Sequence, residues 1–324
     1  MTDPVSGLIY VFIFPGFLFL FIYALFLAFL DRKIAARMQQ RVGPPFFQPF
    51  ADFIKVLGKE VIDPAGVDRV VFDAAPLVAL AAVMTAFLYV PVTGNSPLAF
   101  QGDLVVVLYL LSLPTLVLFL LGWLSRNIFS AIGGIRAVTQ LFIYEVPFFL
   151  ALLTPALMAG TWSVSEIVLW QQKNLWFVFL QPIGFIVALV GLQAKLERRP
   201  FDIPEAETEI VAGPWTELTG RRLAVMDLTI DLSLVVGSAL VAALFLGGPL
   251  IPWAIAPAWL EGIIGFLLFL IKTLAVLLIL SSIKVATGRI RIDQLNDIGW
   301  KYIAGASIVQ VGIVLVMNYL WVYA

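Results

Sequence analysis

Carboxylates, lysine amines and arginine guanidines carry all the acid–base chemistry open to this chain near neutral pH, because its 324 residues include no histidine and no cysteine. The densest group is KLERRPFDIPEAETEIVAGPWTELTGRR, Lys195 to Arg222, the one long charged passage between two apolar segments. It holds six of the 21 acids and five of the 20 bases, with Glu205, Glu207 and Glu209 two residues apart and Glu217 further on. Carboxylates this close cannot all stay ionised in a low dielectric, so such a group is suited to taking up and releasing protons. The plainer alternative is an acidic, well-capped surface helix. A second set falls within or near apolar stretches: Glu145, Asp227, Asp231 and Lys272. A charge in lipid costs about 3 kcal/mol on insertion scales, so these groups should face protein or water, and they are candidates for an ion or proton path. Each also has a structural alternative. Glu145 could hold one hydrogen bond, Lys272 one ion pair through its long stem, and the two aspartates could sit at the interface.

The missing residue types exclude disulfides, Cys-ligated iron–sulfur clusters, His-ligated haem and nearly every zinc or copper site from this chain. No catalytic centre and no metal ligand set is expected, so in redox chemistry another chain must carry the electrons. P-loop, dinucleotide-fold and zinc-protease motifs are absent, and no internal repeat is evident.

Positioning these groups falls to membrane helices. With 61% hydrophobic residues and a mean hydropathy of +1.01, the chain is far too apolar for a soluble globule. The fold class is all-α: a single polytopic domain over 1–324 with about eight spans, near 6–30, 76–94, 103–125, 136–159, 175–194, 222–247, 260–284 and 301–323. Shorter amphipathic segments near 46–62 and 163–171 should lie along the interface. The first apolar run lacks the charged start and cleavage site of a signal peptide, so no segment is expected to be removed.

With eight spans both termini share a side. Eighteen of the 20 Lys and Arg then fall in or beside the opposite loops, about 31–75, 126–135, 195–221 and 285–300. By the positive-inside rule those loops are cytoplasmic and the termini external, in a plasma or inner membrane. That topology already explains the basic clusters, so no nucleic-acid role is inferred. Within the charged passage, Asp202 precedes Pro204 and Glu205 at capping-box spacing. This predicts a helix starting near Asp202, with Glu205 and Glu209 on one face and an end at Gly213 and Pro214.

At DRKIAARMQQRVGPP from Asp31, then QPFADFIKVLGKE, and later ERRPFDIPEAETEIVAG with TELTG, the chain resembles the NuoH-type membrane subunit of respiratory complex I and of the energy-converting membrane-bound hydrogenases. The likeness covers nearly the whole chain. It implies a heel subunit that docks a soluble redox module, with iron–sulfur clusters and a nickel–iron centre held by partner subunits. It also implies antiporter-like and small membrane neighbours, and lipid. Carried onto this sequence, Glu205, Glu207, Glu209 and Glu217, with Glu145, become candidates for the coupling path, beside Asp227, Asp231 and Lys272, which the apolar stretches already single out. Arg32, Arg37, Arg41, Arg198 and Arg199 become candidates for docking and for holding those acids.

Two departures from the complex I pattern bear on the quinone. Gly43 runs through PPFF straight to Gln48 and Pro49, several residues shorter, and Gly213-Pro-Trp-Thr-Glu-Leu218 stands where complex I carries a Gly-Tyr-Asn-Thr-Glu-Tyr pattern. Both lie in loops that shape the quinone site, and they tilt the expectation to the hydrogenase or sulfur-reductase branch. There a ferredoxin-fed module drives proton or sodium movement without quinone. The alternatives are a quinone-chamber subunit of NADH:quinone oxidoreductase, a stand-alone secondary transporter and a structural anchor.

Overall fold

The computed structural model describes residues 4–94, 96, 98–250 and 258–323, and every regular element among them is helical. In chain order these are α1 (Pro4–Phe12), α2 (Phe17–Met38), α3 (Gln48–Leu57), α4 (Arg69–Leu88), α5 (Asp103–Leu124), α6 (Ile128–Ala159) and α7 (Val164–Lys173). There follow α8 (Phe177–Leu180), α9 (Pro182–Lys195), α10 (Glu207–Ile210), α11 (Gly220–Leu246), α12 (Ala258–Ala286), α13 (Ile292–Asp297) and α14 (Ala304–Tyr323). A 3₁₀ turn occupies Gly213–Glu217, and a π-turn at Ile298–Ile303 joins α13 to α14.

Seven helical runs among the described residues are long and apolar enough to cross a bilayer: Gly7–Met38, Arg69–Leu88, Asp103–Leu124, Ile128–Ala159, Gly220–Leu246, Leu260–Ala286 and Ile292–Leu320. The fifth expected span, 175–194, is corrected to a broken pair. Gln181 leaves the helical region (φ −133°, ψ 55°), and Pro182 restarts the chain as α9, whose 14 residues reach only about 21 Å. A short helix suffices there because it is buried among longer ones. Gly191 is packed against the Phe148 ring and Gly237 of α11 against Leu192, both closely enough that any side chain would collide.

The bundle packs around α11, the most enclosed of the long helices, which meets α2, α3, α4, α9 and α12. Its N-terminal end is pinned by Arg222. That buried guanidinium donates to Asp73 (2.5 Å) and Asp63 (2.6 Å) and lies over the Phe72 ring. The amphipathic expectations near 46–62 and 163–171 correspond to α3 and α7, and α2 runs past the apolar stretch to Met38.

Two local expectations are overturned. The segment 128–135, expected as loop, forms the first turns of α6, where Asn127 caps the helix by accepting from the Phe129 N–H at 3.0 Å. No helix begins at Asp202. The Asp202 carboxylate is drawn instead to Arg289 (3.3 Å) and Arg199 (3.5 Å), the backbone stays irregular to Ala206, and only the single turn of α10 follows. Glu205 and Glu209 therefore share no helix face. One arginine 87 residues away and one three residues away outcompeted the local cap.

A carboxylate-lined cavity beneath the charged loops

The loop 196–219 folds down between α6 and α11 because small residues let it. Gly133 of α6 touches Gly213 and Pro214, and Gly213 has φ +53° with its α-carbon set against the Pro204 carbonyl, so a side chain there would be both strained and obstructed. Asn127, already a helix cap, also donates to Glu217 at 2.6 Å and ties the loop's far end to α6. On the other flank, Gly43 (φ +75°) turns the short GPPFF connection tightly enough to seat α3 beside α2.

Between α2, α3, α11, the C-terminal end of α12 and this loop lies a cavity of about 680 Å³. One part of its wall is fully ion-paired. Asp31, 6% exposed at the charged end of α2, accepts from Ser281 (2.6 Å) and Lys284 (3.0 Å) of α12 and pairs with Arg198. Nearby, Asp202 binds Arg199 and Arg289, and Asp52 binds Arg32 (2.9 Å) and Lys55 (3.1 Å).

The other part of the wall carries Glu197, Glu205, Glu207, Asp227 and Asp231, none with an ion-pair partner among the described residues. Asp227 and Asp231, one helical turn apart, both face the cavity. Burial is the main reason the Glu205 carboxyl is pushed up to about 7, and the negative charges of Asp202, Asp227 and Glu207 add to it while Lys284 opposes. Burial likewise pushes Glu197 up to about 8, with Glu205 contributing, and the Glu197 Oε2 atom is enclosed with no hydrogen-bond partner. Carboxyls shifted this far keep much of their proton near neutral pH.

Glu145 stands apart from the large cavity. Its carboxylate binds Lys195 of α9 at 3.1 and 3.2 Å, and that amine is walled by the rings of Tyr144, Phe148 and Phe149 at 5.6 to 5.9 Å. A second cavity of about 30 Å³, with room for a water or two, is lined by Lys195, Glu197, Thr115 and Ser233 and lies between this pair and the Glu197 side of the large cavity.

Four sequence-predicted site residues, Glu205, Glu207, Asp227 and Asp231, thus meet in one space, together with Arg32, Arg198 and Arg199. The others do not. Glu209 points outward to Arg136 (2.6 Å), whose hydrogen bond, more than its charge, holds the carboxyl below the usual range, and Glu217 is bound to Asn127. Lys272 donates to the Gly248 carbonyl (2.7 Å) and sits 4.6 Å from the Trp176 ring centre, and Arg37 and Arg41 are exposed at the end of α2 and just beyond it.

Sequence reasoning missed Asp31, Lys195, Glu197, Asp202, Lys284 and Arg289. A signal existed for some of them: Asp31, Lys195 and Lys284 each sit at the charged end of an apolar helix, where a solvated position was the simplest reading. Among the described residues no cluster of three or more Asp or Glu is placed to hold a metal ion.

The architecture is that of a polytopic helical membrane protein with an acid-lined cavity open beneath its charged loops. The family model described as NADH dehydrogenase matches residues 10–315, and the chain belongs to that family, as a member of its NuoH type. The H subunit of the NADH-quinone oxidoreductase of Carboxydothermus hydrogenoformans is 36% identical over 302 residues, covering 90% of this chain and 84% of the relative. Among solved structures, a chain of the membrane-bound sulfane sulfur reductase, an archaeal respiratory membrane complex, superposes with a TM-score of 0.82 at 31% identity, covering 92% of this chain and 97% of that one.

Proposed function

We propose that this chain is the non-redox heel subunit in the membrane arm of an ion-translocating oxidoreductase complex, seating a soluble redox module over its charged loops and coupling that module's electron transfer to ion movement. The charged face is read as cytoplasmic from the distribution of Lys and Arg. The observation that carries this reading is the set of unpaired carboxylates gathered beneath that face, two of them shifted to about 7 and about 8. A change of charge or shape above the loop would alter how many of these acids are ionised. Asp231, Glu205, Glu197, the small cavity and the Lys195–Glu145 pair then give protons a stepwise route into the bundle.

The test is Asp231→Asn in the whole complex, incorporated into vesicles. Electron transfer by the soluble module should persist while ion movement falls at least about tenfold, a loss no larger than general acid–base groups usually account for. Ion movement at the wild-type rate would remove Asp231 from the path.

For the electron chemistry, the shortened GPPFFQP connection favours a ferredoxin-linked module of hydrogenase or sulfur-reductase type, and the fold match to the sulfane sulfur reductase agrees with it. A quinone-binding role is the second reading. It is favoured by the apolar side of the same cavity, where Leu25, Ala28, Phe53 and Val56 could receive a ring, and by the identity to a chain of a NADH-quinone oxidoreductase. Purification with the partner chains discriminates: nickel or a sulfur-reducing activity supports the first reading, bound quinone the second. A chain isolated alone or as a homo-oligomer would point to a transporter.

A further inference from the structure

A smaller pocket of about 270 Å³ opens on the flank of the charged face beside the acid cavity, with Arg289 in the wall of both. It is lined by Arg136 of α6 and by Arg289 and Arg291 from the connection after α12, with Glu209 and Asp293 as its two carboxylates and Ile203, Ile290 and Ile292 as its apolar floor. The three guanidiniums face two carboxylates in the lining, and Asp202, shared with Arg199, answers Arg289 from behind. Glu209 is committed to Arg136 at 2.6 Å, and Arg289 is partly committed to Asp202 through its carboxylate and its carbonyl. Arg291 is exposed and has no ion pair among the described residues. Each guanidinium has five N–H donors, so donors remain for a further anion on all three.

Helix lengths fix the depth of this pocket. The 32 residues of α6 exceed the roughly 20 needed to cross the hydrocarbon. Counting back from Ala159 places residues 140–159 in hydrocarbon and Arg136 about one turn outside it. Further along the helix, inside the hydrocarbon by this count, Phe142 and Val146 form an exposed apolar stripe. On the α14 side, Trp300 (49% exposed) and Tyr302 (70% exposed) sit between Arg291 and the start of α14, and such rings collect at membrane interfaces. A basic pocket at headgroup depth, above an exposed apolar helix face, suits one ligand chemistry best, a phosphate carried on acyl chains.

We propose that the Arg136–Arg289–Arg291 pocket binds the phosphate headgroup of an anionic phospholipid in the leaflet on the charged side, with the acyl chains lying along the exposed stripe of α6. The full chain, purified in detergent, would be titrated with dioleoyl phosphatidylglycerol, dioleoyl phosphatidylcholine and inorganic phosphate, reading bound adducts by native mass spectrometry. Phosphatidylglycerol should bind more tightly than either of the others. Arg291→Gln should weaken it roughly fivefold, the effect of one basic residue near an anionic surface, and Arg291→Lys should restore most of the loss. Because Arg291 is exposed and unpaired, unchanged melting of the variant serves as the folding control. Equal phosphatidylglycerol binding by wild type and Arg291→Gln would overturn the proposal. So would inorganic phosphate binding as tightly as the lipid, which would mark a free-anion site. Release of a partner chain from the complex by Arg291→Glu, with lipid affinity unchanged, would assign the pocket to a protein carboxylate instead.

Discussion

The two sides of the acid cavity are built from the same residue types and behave oppositely. Asp31 is surrounded by Arg198, Lys284 and Ser281, whereas Glu205 in the loop and Asp231 on α11 have no cation in ion-pair contact among the described residues. Burial alone therefore does not decide what a carboxylate does. A buried acid with two cations and a hydroxyl serves as a clamp, here between α2 and α12. A buried acid facing other acids across an open space, as Glu205 does, is held near its ionisation point, and it can respond to a charge that changes nearby.

That contrast is tested most severely at the clamp. Asp31→Ala would leave Arg198 and Lys284 enclosed together with their shared partner gone, and should lower stability by about 3 to 5 kcal/mol, visible as a large fall in the thermal midpoint of the detergent-solubilised protein. If Asp231→Asn lowers the midpoint as much, the two sides are not different in kind.

Lys195→Met should cost about 3 kcal/mol by leaving the nearly buried Glu145 carboxylate alone among rings. Adding Glu145→Gln should recover much of that loss, since the double variant no longer buries a single charge. Additive losses would mean that the pair is not a closed structural unit.

The unpaired side should show itself through pH. In the folded protein Glu205 and Glu197 hold their protons to about 7 and about 8, while unfolded glutamates release theirs near the ordinary value of about 4.3. Between those limits the native state binds more protons than the unfolded one, so stability falls as pH rises from roughly 5 to 8. Glu197→Gln and Glu205→Gln should flatten this decline and raise the midpoint at pH 8, with little effect at pH 5. A midpoint that rises with pH in the wild type and is unaltered by either variant would contradict the shifts.

The smallest effect belongs to a pair on neither side. Lys301 and Asp297 are both more than half exposed at 2.9 Å, and Lys301→Ala should change stability by no more than about 0.5 kcal/mol.

Much of the fold was legible from hydropathy, because each long span must satisfy its backbone within itself and present apolar side chains to lipid. The fifth span is the instructive exception. Its apolar run 175–194 reads as one crossing, yet Gln181 and Pro182 divide it, and the short remainder survives because α6 and α11 enclose it. The acidic passage misled in a similar way. Its capping spacing at Asp202 was sound local physics, overridden by Arg289, 87 residues away.

Of the candidate site, the embedded acids Asp227 and Asp231 were readable because a charge in an apolar stretch needs a reason. The partnerships were not. Lys284 reaches Asp31 across 253 residues and Lys195 reaches Glu145 across 50, and nothing in composition or periodicity links such positions.

The sequence by itself determined that this protein lives in a membrane, that most of its Lys and Arg cluster in a few segments between apolar runs, and that it carries no histidine or cysteine for electron transfer. Those properties depend on residue type and local order alone. Only the tertiary structure decided which carboxylates are neutralised by a cation and which are left able to titrate. That distinction is set by distances of a few ångströms between helices far apart in the chain, where the dielectric is low and each missing partner changes the balance between charged and neutral forms.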